Sequence, residues 1–255
     1  MVDERMLVVV AHPDDETFGT GSLLAHVHRC GASVTVACAT RGEAGDPTPG
    51  SVPDGTSLAE VREAELHTAA AMLGVDDVVV WDWRDSGMDG EPASDTLCAA
   101  PLDDVVSAVV ELVERRRPTL VVTLDGSDGH RDHVRVRDAT LAAVAAASWS
   151  PERVYLHCLP RRLMRRWVEE LARRNPEAAH LGLGELGTPD DQITTLLDTS
   201  DLLDLRERAM AVHASQTPPY DVMPPDLRRD FLATDALRRV QPPWPDDAPR
   251  EYQVF

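Results

Sequence analysis

Short apolar runs alternate along this chain with segments whose apolar residues recur at helical spacing. Met6–Val10 is an unbroken apolar run, and Gly21–Cys30 follows with Leu23, Leu24 and Val27 on one helical face. Ser33–Ala39 reads as a second strand. A loop rich in Gly, Pro and Asp then runs from Arg41 to Thr56, and a helix over Ser57–Leu73 stops at Gly74. Asp77–Trp81 is a third strand, followed by a polar loop to Pro101 and a helix over Leu102–Arg117 that Pro118 ends. Thr119–Leu124 is a fourth strand. After the loop Asp125–His133 an alanine-rich helix reaches Ala147, and Arg153–Cys158 is a fifth strand.

Short buried strands that alternate with helices imply a parallel sheet covered on both faces. Right-handed crossovers then give an α/β, Rossmann-like doubly wound, mostly parallel sheet with strand order 3-2-1-4-5. In that order strands 1 and 4 are neighbours where the winding reverses, and ligands bind there, beyond the carboxyl ends. Past residue 160 the pattern weakens. Leu163–Arg173 reads as a surface helix, Ile193–Leu197 as a further strand and Asp201–His213 as a helix. The Pro- and Asp-rich tail from Pro218 is expected to wrap the surface with a short helix near Leu227–Val240. The expected organisation is one α/β domain over 1–255, with 160–255 as a C-terminal extension around the core.

Two loops carry chemistry. Ala11–Glu16 (AHPDDE) follows strand 1, and Gly129–His133 (GHRDH) follows strand 4. Both fall at the switch point, although neither was used to place the strands. Two histidines and the carboxylates of Asp14, Asp15 and Asp132 converging on one crevice meet the needs of a divalent metal. A lone His or Asp at a strand end is more often a cap or turn residue, so the argument rests on two clusters meeting. Two imidazoles and one carboxylate suit catalytic zinc with open positions, and suit iron(II) equally. Such a metal lowers the pKa of its water to roughly 7. A nearby carboxylate can take the proton, and a nearby His can stabilise an oxyanion or protonate a leaving amine.

Composition narrows the partners. The formal charge is −19, which speaks against nucleic acid or an anionic membrane surface as a partner. All 25 basic residues are arginine. Without lysine, Schiff-base and lysine-dependent phosphate chemistry are excluded. Cys30, Cys38, Cys98 and Cys158 show no CxxC pairing, and small buried thiols in a reducing compartment are expected, hence a cytoplasmic location. No apolar stretch reaches the roughly eighteen residues of a membrane span. The first sixteen residues read as a core strand rather than a signal peptide.

With these motifs in place the sequence closely resembles the PIG-L, or LmbE-like, family of metal-dependent N-deacetylases. TRGEAG (Thr40–Gly45), VREAEL (Val61–Leu66), RDSGM (Arg84–Met88) and HASQ (His213–Gln216) also look familial. The resemblance implies that His12, Asp15 and His133 hold the metal, expected to be Zn2+, with Fe2+ or another divalent ion as alternatives. It implies Asp14 as general base, His130 as electrophilic or acid partner, and Asp132 as the carboxylate that orients His130 or a ligand histidine. Arg62 and Asp85 match positions that bind sugar hydroxyls. The expected substrate is a small N-acetylated molecule, an amino sugar or a glycosylated compound, with a larger thiol-cofactor amide as the alternative. Arg131 stands where many members carry proline.

Independently of the resemblance, Leu58, Arg62 and Leu66 share a stripe of the Ser57–Leu73 helix. An arginine there either pairs, faces a cleft, or snorkels at the helix edge. Asp85 has an equally simple alternative as a cap on the turn at Ser86–Gly87, and His213 reads as structural or at a rim. Two other classes compete. Gly19-Thr20-Gly21 lacks the third glycine of a dinucleotide fingerprint, and His and Asp occupy the turn a pyrophosphate would need. A non-catalytic metal-binding domain would have no need of Asp14 or His130. Whether the chain forms a homo-oligomer is left open.

Overall fold

The computed structural model of the chain describes residues 4–88, 90–177, 179–221, 223–245 and 247–254. The first three residues of the amino-terminal segment lie outside it. In chain order the elements are β1 (Arg5–Val10), α1 (Asp15–Phe18), α2 (Gly21–Arg29), β2 (Ser33–Cys38), α3 (Leu58–Met72), β3 (Asp77–Val80), α4 (Leu102–Arg116) and β4 (Leu120–Leu124). They continue as α5 (Arg131–Ala146), β5 (Arg153–Cys158), α6 (Arg161–Arg174), β6 (Thr195–Asp198), α7 (Leu203–Met210), α8 (Pro225–Leu232) and β7 (Thr234–Gln241).

Among the described residues the strands form one sheet ordered β3-β2-β1-β4-β5-β7-β6. The first five pair in parallel, as the alternation of strand and helix predicts, and helices cover both faces. Continuous apolar runs in β1 and β4 are buried on both sides, because each is flanked by strands and covered above and below. Ser57 and Glu60 form a reciprocal capping box that starts α3. Arg117, at φ 48, takes the left-handed conformation that closes α4 before Pro118.

The C-terminal third departs from the sequence pattern. The helix expected near Leu227–Val240 is shorter, Pro225–Leu232, and the chain turns at Ala233 into β7. This strand pairs antiparallel with β5 on one side and β6 on the other. The cause is a local pattern that suits either element. Asp235, Ala236 and Leu237 are buried in succession and Arg238 is exposed, so no strict period of two marks a strand. The helix expected over Asp201–His213 is also shorter and leaves His213 beyond its end. No helix among the described residues is long and apolar enough to cross a membrane.

Arg206 of α7 ties this third to the first loop of the chain. Only 2% exposed, it donates through Nη2 to the carbonyls of Phe18 and Gly19, and through Nη1 to that of Leu232. These are carbonyls at the ends of α1 and α8, where no helical N–H is available to them. Asp235 Oδ1 lies 3.8 Å from the same guanidinium. Arg206→Met should therefore cost about 3–5 kcal/mol, the scale for removing one partner of a buried pair. Chemical denaturation checks this; a loss below about 1 kcal/mol would show that Arg206 is dispensable to the anchoring.

Candidate active site

The carboxyl ends of β1 and β4 bring the two motifs together. His12 is buried two residues past the end of β1, and Asp15 opens α1. The Asp15 carboxylate folds back so that Oδ2 accepts from the Ala11 and His12 backbone N–H groups at 3.2 and 2.8 Å. Between them Asp14 sits at φ 109, a conformation costly for any residue with a Cβ. Glu16 helps to hold it there, its Oε2 accepting from the Asp14 N–H at 2.9 Å.

From the other side, His130 is the N-cap of α5, and Asp132 and His133 occupy its first turn. The Asp132 N–H donates to His130 Nδ1 at 3.2 Å. A ring nitrogen that accepts carries no proton, so in neutral His130 the proton lies on Nε2. Burial, followed by the charges of His12 and His133, depresses the His130 pKa to about 4, which keeps it neutral at ordinary pH.

Each of the other two imidazoles has a carboxylate on one nitrogen and Asp15 on the other. His12 Nε2 bonds to Asp132 Oδ2 at 3.1 Å, while Nδ1 lies 3.5 Å from Asp15 Oδ2. His133 Nδ1 bonds to Asp128 Oδ2 at 2.5 Å, while Nε2 lies 3.3 Å from Asp15 Oδ1. The acids outweigh the burial that opposes a charge on these rings: His133 is pushed up to about 10 by Asp128 and Asp15, and His12 also rises. His133 Nε2 is nevertheless buried without a hydrogen-bond partner.

That orphaned nitrogen, facing Asp15 across from His12 Nδ1, fits a divalent metal held by His12, Asp15 and His133. Imidazole and carboxylate are the donors zinc and iron(II) take, and carboxylates behind both imidazoles are the usual outer support. Other donors are also close. Nitrogens of His12, His130 and His133 lie within 4.8 Å of one another, as do ligand atoms of His12, Asp85 and Asp132. His130 Nδ1 is committed to the α5 cap, and Asp132 to the backbone of Ser86 at 2.9 Å, so these sets fit a metal less well.

The sequence-predicted residues are thus brought to one place. Of the two histidine partners left open for Asp132, its carboxylate takes His12 and not the His130 side chain; its Oδ1 also accepts from the Cys98 thiol at 3.1 Å. Asp85 caps the turn, its Oδ1 accepting from the Gly87 N–H at 2.8 Å, and the same oxygen lies 3.4 Å from His12 Nε2. Arg62, 3% exposed, pairs with Asp14 Oδ2 at 3.1 Å and donates to the carbonyls of Pro13 and Gly42. It neither snorkels nor stands free. A Cβ at Gly42 would lie 2.2 Å from Arg62 Nη1, which explains the glycine at that position. Arg131 donates to the Gly87 and Gly90 carbonyls, tying the two loops.

Asp128 was missed. Only its place two residues before His130 hinted at it, and the fold decides which ring it meets. His213 is buried rather than at a rim, its Nε2 bonded to Glu16 Oε1 at 2.8 Å. The site opens into a cavity of about 390 Å³, within the range of small-molecule sites.

An open α/β sheet with a buried histidine and carboxylate cluster at its switch point is an arrangement that suits a divalent metal. The comparisons give the family. Residues 7–144 match the PIG-L family, described as GlcNAc-PI de-N-acetylase, and the chain belongs to this family. A relative from Kineococcus radiotolerans, named 1D-myo-inositol 2-acetamido-2-deoxy-alpha-D-glucopyranoside deacetylase, is 34% identical; the match covers 95% of this chain and 76% of the relative. Among solved structures, the N,N'-diacetylchitobiose deacetylase of Pyrococcus horikoshii superposes with a TM-score of 0.63 at 18% identity, covering 92% of this chain and 83% of that one. A 4-carboxy-2-hydroxymuconate hydratase from Pseudomonas putida superposes with a TM-score of 0.62 at 17% identity, over 99% of each chain. At those identities the superpositions speak for the fold alone.

Burial, opposed by the Arg62 cation, raises the Asp14 pKa to about 6. Removing the cation removes a positive charge that favours the carboxylate, so Arg62→Ala should move that titration to higher pH. Carboxyl carbon NMR of the metal-free protein, assigned through Asp14→Asn, reads this directly; an unmoved or lowered titration contradicts the pairing.

Proposed function

We propose that this deacetylase-family chain uses a divalent metal held by His12, Asp15 and His133 to hydrolyse the acetamide of an N-acetylglucosaminyl glycoside. The observation that carries the reading is the pair of buried imidazoles, each backed by a carboxylate, that turn their remaining nitrogens towards Asp15. Zinc is the metal the donor set suits, and iron(II) suits it as well. When bound, such an ion supplies Lewis acidity that polarises an amide carbonyl and acidifies water.

The remaining work falls to the protein. Asp14 receives the proton of the attacking water; a carboxylate raised to about 6 is a competent base near neutral pH. Its strained backbone and its ion pair with Arg62 fix the direction from which it acts. His130 presents Nε2–H to the oxygen that gains charge as the carbonyl carbon becomes tetrahedral. Asp132 and Asp128 hold the His12 and His133 rings by their far nitrogens. Asp85 and Arg62 line the cavity and face the polar part of the substrate. The support for an inositol-linked amino sugar is the 34% identity to a relative named for that activity.

Two variants separate the roles. His133→Ala should lose the metal and all activity while the sheet stays folded, as elemental analysis and circular dichroism would record; full metal occupancy would sink the ligand assignment. Asp14→Asn should keep its metal and lose roughly 10²–10⁴-fold in kcat, the usual worth of a general base. Near-parental acetate release from N-acetylglucosaminyl inositol by that variant would rule out the base.

A further inference from the structure

The cavity spans the sheet from one arm to the other. Arg62 of α3 and Asp85 after β3 reach it from the β2 and β3 side, and Asp85 comes within 3.4 Å of His12 past the end of β1. On the far side the wall is apolar, built by Met164, Trp167, Met223 and Phe231 of the α6 and α8 region. Beside this wall β5 brings an imidazole, His157, which pairs in register with Leu124 of β4. The proposed metal site does not include this residue, and the proposed hydrolysis does not use it.

His157 is 7% exposed, yet neither of its ring nitrogens makes a hydrogen bond among the described residues. Its Nε2 lies 3.7 Å from Asp235 Oδ1 on β7. That oxygen is itself buried without a hydrogen-bond partner, while Oδ2 accepts from the Thr199 hydroxyl at 3.1 Å. A carboxylate facing one imidazole nitrogen draws the ring proton there and leaves the other nitrogen bare. The bare one is Nδ1, on the Gly19 side. A Cβ on Gly19 would stand 3.6 Å from it, and both residues line the cavity. The structure thus holds a buried acceptor, oriented from behind, with nothing to accept from. Native proteins seldom leave such an atom unused.

A bare nitrogen accepts from a hydroxyl. Asp125 and Asp128 line the same cavity, so an anionic group there would meet like charge. The amino sugar itself is badly placed to supply the hydroxyl. When it meets Asp85 it lies over the end of β1, and β5 is two strand spacings away, about 10 Å. From these positions we infer that His157, held by Asp235, is a further substrate-binding residue whose Nδ1 accepts from a hydroxyl of the group joined to the amino sugar, a polyol or a second sugar. The inference rests on the amide-hydrolase reading above and adds the residue that recognises the rest of the glycoside. His157 makes and breaks no covalent bond; it places the glycoside across the cavity.

The metal-loaded enzyme tests this with two substrates, N-acetylglucosaminyl inositol and the methyl glycoside of N-acetylglucosamine, which has no hydroxyl beyond the amino sugar. Amine release is read for both, and the parent should favour the inositol glycoside in kcat/KM. His157→Leu should lose roughly tenfold on that substrate, the worth of one buried hydrogen bond, and change little on the methyl glycoside. His157→Asn, whose amide oxygen stands near the place of Nδ1, should recover most of the loss. A second measurement needs neither metal nor turnover. Glucosaminyl inositol added to the metal-free protein should move the nitrogen NMR signal of His157 Nδ1, and methyl glucosaminide should not. A parent without preference, equal losses on the two substrates, no loss on either, or an unmoved nitrogen signal overturns the inference while the deacetylase reading stands. Amine release from neither substrate by the parent removes the underlying reading, and the nitrogen signal then decides the inference by itself.

Discussion

Negative charge gathered in a dry place is the constraint on which this structure turns. Asp14, Asp15, Asp85, Asp128 and Asp132 meet where β1 and β4 end, and Glu16 is buried just behind them. Desolvation alone would force protons onto several of these groups. The fold answers with cations placed against particular oxygens. His12 and His133 hold Asp15 well below the usual carboxylate range despite its burial, and Asp128 and Asp132 fall as well. Asp14 has only Arg62 and the more distant His213 on its side, and it rises. The site therefore contains several carboxylates that stay ionised and one, Asp14, poised to exchange a proton. Such divergence between neighbours is how acid–base roles are set.

Holding that arrangement requires backbone that an isolated loop would not adopt. Asp14 keeps φ 109 because its N–H is bonded to Glu16, because Glu16 is bonded in turn to His213 and Thr17, and because Arg62 grips both its carboxylate and the carbonyl of Pro13. His213 follows α7, whose Arg206 reaches the carbonyls at the end of α1. The chemistry at the first loop thus depends on residues some two hundred positions away in sequence. Strain at a functional loop persists only where its surroundings over-determine it, and here the C-terminal third supplies much of that surrounding.

The core sheet was legible because its strands are short and largely apolar, and because Gly74 and Pro118 stop two of the helices between them. The order 3-2-1-4-5 followed from handedness, and the two motif loops then fell together. β7 was hidden because Thr234–Gln241 carries Arg238 and Arg239 beside its buried residues, and because only Ala233 separates it from a helix. At the site, residue identities were legible and partnerships were not. Asp132 lies two residues from His130 in sequence, yet its carboxylate is turned to His12 by the Ser86 N–H, which arrives on a loop from the far side of β1. Asp128 pairs with His133 across one turn of chain that no periodicity describes. The Arg62 stripe left pairing, a cleft and snorkelling open, and nothing in it named Asp14 as the partner.

A hydratase shares this fold as fully as a deacetylase does, so the sheet fixes neither reaction nor substrate. The division of labour within the cavity suggests why. Donor atoms sit on strand ends and on the first turn of α5, positions locked by the parallel sheet and its helix cap. The apolar wall sits on α6, α8 and the segment between α7 and α8, outside the parallel strands. Met164 and Met223 line the cavity from these elements and not from the strand ends that carry the histidines and carboxylates. A wall carried by its own elements can be refitted to new substrates while the charge balance at β1 and β4 stays intact. The converse does not hold: moving Asp128 or Asp132 would uncompensate a buried imidazole whatever the substrate. What this architecture constrains is therefore the pairing of buried charges at the ends of β1 and β4, and not the reaction they serve.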